Sequence, residues 1–476
     1  MSDQQDPPPV EMGLPAAPVE RRRNNASEII VSGHIWRAVW FLAWPTAINT
    51  LIQSAYGIVN TLFVGRLPNA TQSLAAVGIG SQALMIQFGM VIGLSAGTSA
   101  LVARFLGGEN YEDADKVVGQ TLILSVIAGA VTAVPLILLA RPAVEIIGAK
   151  GTAASLAAHY TSLIAWFSIP MFLLVNITAA LRAAGDVRGP LVVNTAVIAL
   201  NAVLDWFLIL GHGPFPQMGV HGAAIATSIS RIAGMLFAFA LLRRSVLKGA
   251  LRHVRFDWDW CRRILNIGWP AAVQNLLWST ASAGFRCILG ALPATQVNPA
   301  QAALTVSLAI ESMAFMPGIA YSMAATPLVG QNLGAGKPDR AEHSAWIAVG
   351  QAVFIMTSVA LAFFFAPGWL ATRFTHEAAV VPLIVWYLRI MAVSEPFLAV
   401  GMVLRGALQG AGDTRTPALV TVGTLWIIRL PLAFLLAKTL GYGAVGAWIA
   451  MSSTTVLSGC LMACWFKWGT WRTVKV

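Results

Sequence analysis

The sequence is short of charge: only 11% of its 476 residues are Asp, Glu, Lys or Arg, against roughly 25% in a typical soluble domain. That shortage excludes a water-exposed globular fold for most of the chain. Cysteine is scarce as well. The four present, Cys261, Cys287, Cys460 and Cys464, have no His partners at metal-ligand spacing, so they read as packing residues, with neither a disulfide framework nor a metal site expected. No Ser/His or metal pair stands in facing apolar runs, which argues against an intramembrane enzyme. A nucleotide loop is missing too. Residues 330–337 read GQNLGAGK, but the glycine spacing is one too long and Pro338 stands where Ser or Thr is needed. Any pump here therefore draws on an ion gradient, and no cofactor is expected. Gly93-Leu94-Ser95-Ala96-Gly97 has the letters of a hydrolase nucleophile elbow, yet that motif needs a strand-to-helix turn. Glycine at 89, 93 and 97 instead marks one closely packed helix face.

What is present is apolar. Hydrophobic residues make up 57% of the chain, and the mean hydropathy is +0.71. Runs of membrane-spanning length occur at about 37–63, 73–104, 116–140, 155–180, 190–211, 219–242, 264–290, 301–331, 343–366, 380–405, 416–438 and 443–466. This predicts an all-α membrane protein with twelve transmembrane helices. The net charge of +11 belongs to topology and not to nucleic acid, because no water-exposed domain carries it. Arg21, Arg22, Arg23 and Arg37 stand before or at the first span, and Arg243, Arg244, Lys248, Arg252, Arg255, Arg262 and Arg263 lie between the sixth and seventh. The opposite loops hold few, so both termini are expected on the cytoplasmic side of the cytoplasmic (inner) membrane. The basic middle loop can also rest on anionic headgroups.

The chain repeats itself. Ala184-Gly185-Asp186-Val187-Arg188-Gly189-Pro190 matches Ala411-Gly412-Asp413-Thr414-Arg415-Thr416-Pro417 at an offset of 227, and Leu101-Val102 with Leu106-Gly107 matches Leu328-Val329 with Leu333-Gly334 at the same offset. Ala43-Trp44-Pro45 resembles Gly268-Trp269-Pro270, and Gly219, Gly222 and Ala226 match Gly443, Gly446 and Ala450. The expected organisation is a disordered cytoplasmic tail at 1–33, an N-lobe of six helices at 34–242, a basic linker at 243–263, a C-lobe of six helices at 264–468 and a short cytoplasmic end at 469–476. Six spans per lobe give the lobes one orientation and a pseudo-symmetry axis along the membrane normal.

Polar side chains inside spans are the candidates for chemistry. In the fifth span Asn194, Asn201 and Asp205 fall on one helical face. A carboxylate at membrane depth is expensive and is a functional-site hypothesis by default; packing, with a bond to Asn201, is the alternative. The first span carries Asn49, Gln53, Tyr56 and Asn60 in one stripe, and its repeat mate, the seventh, carries Asn275, Ser279, Ser282 and Arg286, with Gln274 and Trp278 beside them. Such stripes act as interhelical glue or line a cavity, and their recurrence in both lobes favours lining. Asn176 in the fourth span joins the cavity candidates. Two further acids, Glu311 and Glu395, lie in the eighth and tenth spans, with Arg429 and Arg389 as candidate partners. Ion-paired structure and proton carriage are both open for them. The sequence alone assigns no partner to Arg231 or Arg286.

These features resemble the multidrug and toxic compound extrusion (MATE) family, closest to its bacterial DinF-like branch. The likeness rests on Phe63-Val64-Gly65-Arg66-Leu67 followed by Ala75-Ala76-Val77-Gly78, on Leu181-Arg182-Ala183-Ala184-Gly185-Asp186, on Asn201-Ala202-Val203-Leu204-Asp205, on Ile310-Glu311-Ser312-Met313-Ala314-Phe315-Met316-Pro317-Gly318, and on Leu328-Val329-Gly330-Gln331-Asn332-Leu333-Gly334. The resemblance implies a V-shaped, cation-coupled exporter of amphipathic, mostly cationic compounds, acting as a monomer. Asp205 and Asn201 match the family's fifth-span acid and its amide partner, and Gln53 matches a first-span cavity residue. One departure matters. Where the family has an acid at the end of the first span, this chain reads Val59-Asn60-Thr61, and an amide cannot take up a proton. The sodium-coupled branch uses acids in the seventh and tenth spans; here the seventh has none, Trp278 stands near that place, and Glu395 sits about a turn from the tenth-span position. Proton coupling through Asp205, with Asn201, Asn60, Glu311 and Glu395 as the associated set, is therefore expected over sodium. The alternatives are a lipid or lipid-linked oligosaccharide flippase, whose cationic cavity would draw on Arg231, Arg286, Arg389 and Arg429, and an uncoupled scaffold marked by Asn60.

Overall fold

The computed structural model describes residues 25–67, 69–147, 150–212 and 215–474. The side chains of Tyr56 and Asn60 and the tail at 1–24 lie outside the described residues. Every regular element among those residues is helical, as a bilayer demands of any open-ended segment whose backbone N–H and C=O groups must be satisfied internally. Twelve spans follow one another. The N-lobe contains α1 (Ile35–Val64), α2 (Ala70–Ala83 and Met85–Gly107), α3 (Tyr111–Leu138), α4 (Gly151–Trp166 and Ser168–Ala183), α5 (Arg188–Leu208) and α6 (Val220–Arg244). The C-lobe contains α7 (Trp258–Gly290), α8 (Ala294–Gly334), α9 (Pro338–Phe365), α10 (Val381–Ala411), α11 (Arg415–Thr439) and α12 (Gly443–Trp468).

Several helices depart from straight rods. α8 has 41 residues, about 60 Å at 1.5 Å per residue, twice the hydrocarbon thickness of about 30 Å, so it continues well beyond the bilayer core. α4 bends by 56° at Phe167. α11 is π-helical over Val422–Arg429 and again over Leu435–Thr439. Such widened turns recur at functional sites, and Arg429 closes the first of them.

The repeat is a structural one. Gly185 and Gly412 end α4 and α10 with φ of 89° and 88°, a conformation that only glycine adopts without a Cβ penalty. In each lobe the following Asp N–H donates back to a leucine carbonyl, Asp186 to Leu181 at 3.0 Å and Asp413 to Leu408 at 2.9 Å. Each Asp Oδ1 then accepts the amide that starts the next helix, from Gly189 at 2.8 Å and from Thr416 at 3.1 Å.

The lobes meet through glycines at one end. A Cβ on Gly107 would stand 2.0 Å from the Gln331 carbonyl oxygen, and one on Gly334 would stand 1.9 Å from that of Arg104. Arg104 and Gln331 are themselves equivalent, and each reaches across the seam: Arg104 Nη1 donates to the Ala411 carbonyl at 3.4 Å and Gln331 Nε2 to that of Ala183 at 2.8 Å. Along α2 the contact with α7 loosens. The nearest α7 carbonyl oxygen is 2.2 Å from a Cβ at Gly97, 2.7 Å from one at Gly93 and 3.8 Å from one at Gly89. The result is a V, closed where α2 and α8 terminate.

Candidate functional site

In the N-lobe, α5 carries the polar face. Asp205 is 0% and Asn201 1% exposed, and neither Asp205 oxygen nor either polar atom of the Asn201 amide has a hydrogen-bond partner among the described residues. Asn201 therefore does not hold the Asp205 carboxyl in this conformation. Two to three turns away the stripe does serve as glue: Asn194 Nδ2 donates to Asn49 Oδ1 at 2.9 Å, tying α5 to α1. Asn49 is buried while Gln53 is exposed. Asn176 is engaged elsewhere. Its Nδ2 donates to Ser125 Oγ at 3.1 Å and to the Phe172 carbonyl at 2.8 Å, so it fastens α4 to α3.

In the C-lobe, α7, α8, α10, α11 and α12 enclose a cavity of about 500 Å³. Its apolar walls include the aromatic and thioether side chains of Trp278, Phe285, Phe315, Phe397 and Met402; its polar groups include Ser282, Glu311, Arg286, Arg405 and Arg429. Glu311 is buried and accepts a hydrogen bond from the Tyr387 hydroxyl. Glu395 is 0% exposed, both its oxygens lack a partner among the described residues, and it lies within electrostatic reach of Glu311, as does Arg429. Arg429 makes no ion pair with either acid among the described residues. It is held by α12: Nε donates to Thr454 Oγ1 at 2.7 Å, and Nη2 to Thr455 Oγ1 at 2.8 Å and the Met451 carbonyl at 3.2 Å.

The structure sorts the other sequence candidates. Trp278 and Ser282 line the cavity beside Arg286. Gln274 faces α11, donating to Thr421 Oγ1 at 2.8 Å and the Pro417 carbonyl at 3.1 Å, while Asn275 is half-buried outside the lining. Arg389 is exposed and is no partner for Glu395. Two residues escaped sequence reasoning, Tyr387 and Arg405. A tyrosine in an apolar run carries no signal of its own. Arg405 did carry one, since a lone arginine at membrane depth is as costly as the aspartate that drew attention to α5.

Comparison with known proteins agrees with this architecture. The MatE family model matches residues 45–207 and 270–435, one segment in each lobe. The multidrug resistance protein NorM of Burkholderia vietnamiensis is 31% identical over 432 residues, covering 89% of this chain and 91% of its own. A probable multidrug resistance protein NorM of Thermotoga maritima is 28% identical over 436 residues, covering 90% and 92%. Among solved structures, the outward-facing conformation of a multidrug resistance MATE family transporter superposes with a TM-score of 0.85 at 24% identity, over 93% of this chain and 97% of that one. This multi-pass membrane protein is a transporter and not an enzyme, and it belongs to the MatE, or multidrug and toxic compound extrusion, family.

Proposed function

We propose that the chain is a proton-coupled antiporter, acting as a monomer, that exports amphipathic, mostly cationic compounds across the cytoplasmic membrane by alternating access. The observation that carries this reading is the fully buried carboxyl of Asp205, which has no hydrogen-bond partner among the described residues. An ionised carboxylate in such surroundings is expensive. A proton or a bound cation removes that cost, and one carboxylate serves only one of them at a time. Protonation from the outer face would release the cation and favour the return to the inward-open form. Moving one charge through 100 mV supplies about 2.3 kcal/mol, enough to sustain a useful gradient with one proton per cycle. With an amide at Asn60, proton uptake in the N-lobe rests on Asp205, and Glu311 and Glu395 are the further proton sites.

The positive-inside distribution supports placing both termini, and with them the closed end of the V, at the cytoplasm. In that orientation this conformation opens outward, the state in which a proton would enter. Ethidium export from proteoliposomes under an imposed pH gradient tests the reading. Export that follows the pH gradient without sodium is expected, and export that requires sodium would contradict it. The second reading is a flippase for lipids or lipid-linked oligosaccharides, and the observation that favours it is the arginine-lined wall of the C-lobe cavity.

A further inference from the structure

We propose that the C-lobe cavity binds amphiphilic anions: compounds with a carboxylate, sulfonate or phosphate on an aromatic or aliphatic body. Three guanidinium groups line it, Arg286 from α7, Arg405 from α10 and Arg429 from α11. Among the described residues one acid, Glu311, lines it, and one more, Glu395, lies within reach of that acid. Three positive groups against at most two negative ones leave the wall positive whether the acids are ionised or not. Two of these arginines are poised for a ligand. Arg405 Nε is buried without a partner among the described residues, and Arg286 is exposed at the cavity without an ion pair among them. Arg429 is fixed in place by Thr454 and Thr455, with Nη1 making none of those bonds. Guanidinium forks match the oxygens of carboxylate, sulfonate and phosphate groups.

The remainder of the cavity suits the rest of such a molecule. About 500 Å³ falls within the usual range for a small-molecule site. Phe285, Phe315 and Phe397 offer flat apolar faces, and Met391, Met402 and Met451 offer adaptable ones. Amphiphilic anions would be a second ligand class beside the cations of the proposed export, which supplies the purpose of this site but not the ground for the binding itself. The lobes then present sites of opposite sign, an acid in the N-lobe and arginines in the C-lobe.

The test is equilibrium binding to the full chain in nanodiscs of zwitterionic lipid, with no gradient, using two probes that share one body: naphthalene-2-sulfonate and naphthalen-2-ylmethylammonium, each corrected for empty discs. The sulfonate is expected to bind about tenfold tighter or more, the scale of one charge-assisted hydrogen bond. Arg405→Gln should lose about that factor for the sulfonate, Arg405→Lys should recover part of it, and Arg389→Gln, off the cavity, should change nothing. Should Arg405→Gln fail to fold by thermal melt, Arg286→Gln at the exposed side takes its place. Equal or tighter binding of the ammonium, or sulfonate binding unaffected in a folded arginine variant, overturns the proposal. Adding phosphatidylglycerol to the discs separates the sources: competition assigns the cavity to a lipid headgroup, and its absence to a soluble compound, the anion class standing in both cases. Because no gradient is applied, failure of proton-driven export leaves this result intact, and the reverse holds too.

Discussion

Gly334 of α8 lies against Arg104 of α2 so closely that a Cβ would stand 1.9 Å from the Arg104 carbonyl oxygen. That oxygen belongs to the backbone, so neither side can yield by a rotamer change. Gly334→Ala should therefore push the lobes apart at their closed end, costing about 1–3 kcal/mol as overpacking does. Gly350→Ala, where an added Cβ would meet no described atom outside its own stretch of helix within 4 Å, is the control. A lowered melting temperature for the first and none for the second is expected; equal melting temperatures would show that the seam is not held this tightly.

Gly412 should tolerate substitution poorly for a different reason. Its φ of 88° belongs to the left-handed region, where an L-residue costs about 1–2 kcal/mol. Gly412→Ala is expected to lose that much stability in a melt, with Gly412→Asn losing less. The twin substitution at Gly185 should cost more, because a Cβ there would also stand 2.8 Å from the Ala26 Cβ.

Tyr387→Phe removes the hydroxyl that donates to Glu311. A hydrogen bond to an ionised group contributes about 1.5–3 kcal/mol and one to a neutral group about 1 kcal/mol. The stability lost should be larger at high pH, where Glu311 is ionised, than at low pH. A loss independent of pH would mean that Glu311 keeps one protonation state throughout.

Binding of the naphthalene sulfonate should strengthen as pH falls. The titratable and charged groups lining the cavity are Glu311, Arg286, Arg405 and Arg429, with Tyr387 and Glu395 behind them within reach of Glu311, and protonating either acid removes negative charge near the arginines. The sign is opposite to that expected for a cation at Asp205. On the proposed reading, cation release is then coupled to proton entry at Asp205, and protons on Glu311 and Glu395 favour the anion instead. Sulfonate affinity that falls with falling pH would place the proton sites elsewhere.

The order of spans and the twofold repeat were legible because both are written in composition: apolar runs, and the punctuation Ala-Gly-Asp at equivalent places. Helix shape was less so. α8 runs over Ala294–Gly334 where hydropathy marks 301–331, since a helix does not stop where the hydrocarbon does. The bend at Phe167 has one trace in residue type, Pro170, which lacks the N–H that would bond back across it, and Pro431 stands likewise between the two π-helical stretches of α11. Polar residues inside spans were visible but their roles were not. Asn176 and Gln274 read as cavity residues, as amides in apolar helices do, and only the distances to Ser125 and Thr421 reveal that they join helices. Arg405 was legible by the same rule that singled out Asp205.

Asp205→Asn carries the central claim most directly. Ethidium efflux from proteoliposomes, driven by an imposed pH gradient and followed with and without sodium, should proceed in the wild type irrespective of sodium and collapse in the folded variant. If Asp205→Asn still exports ethidium along the pH gradient, Asp205 is a packing residue and the proton is carried by Glu311 and Glu395.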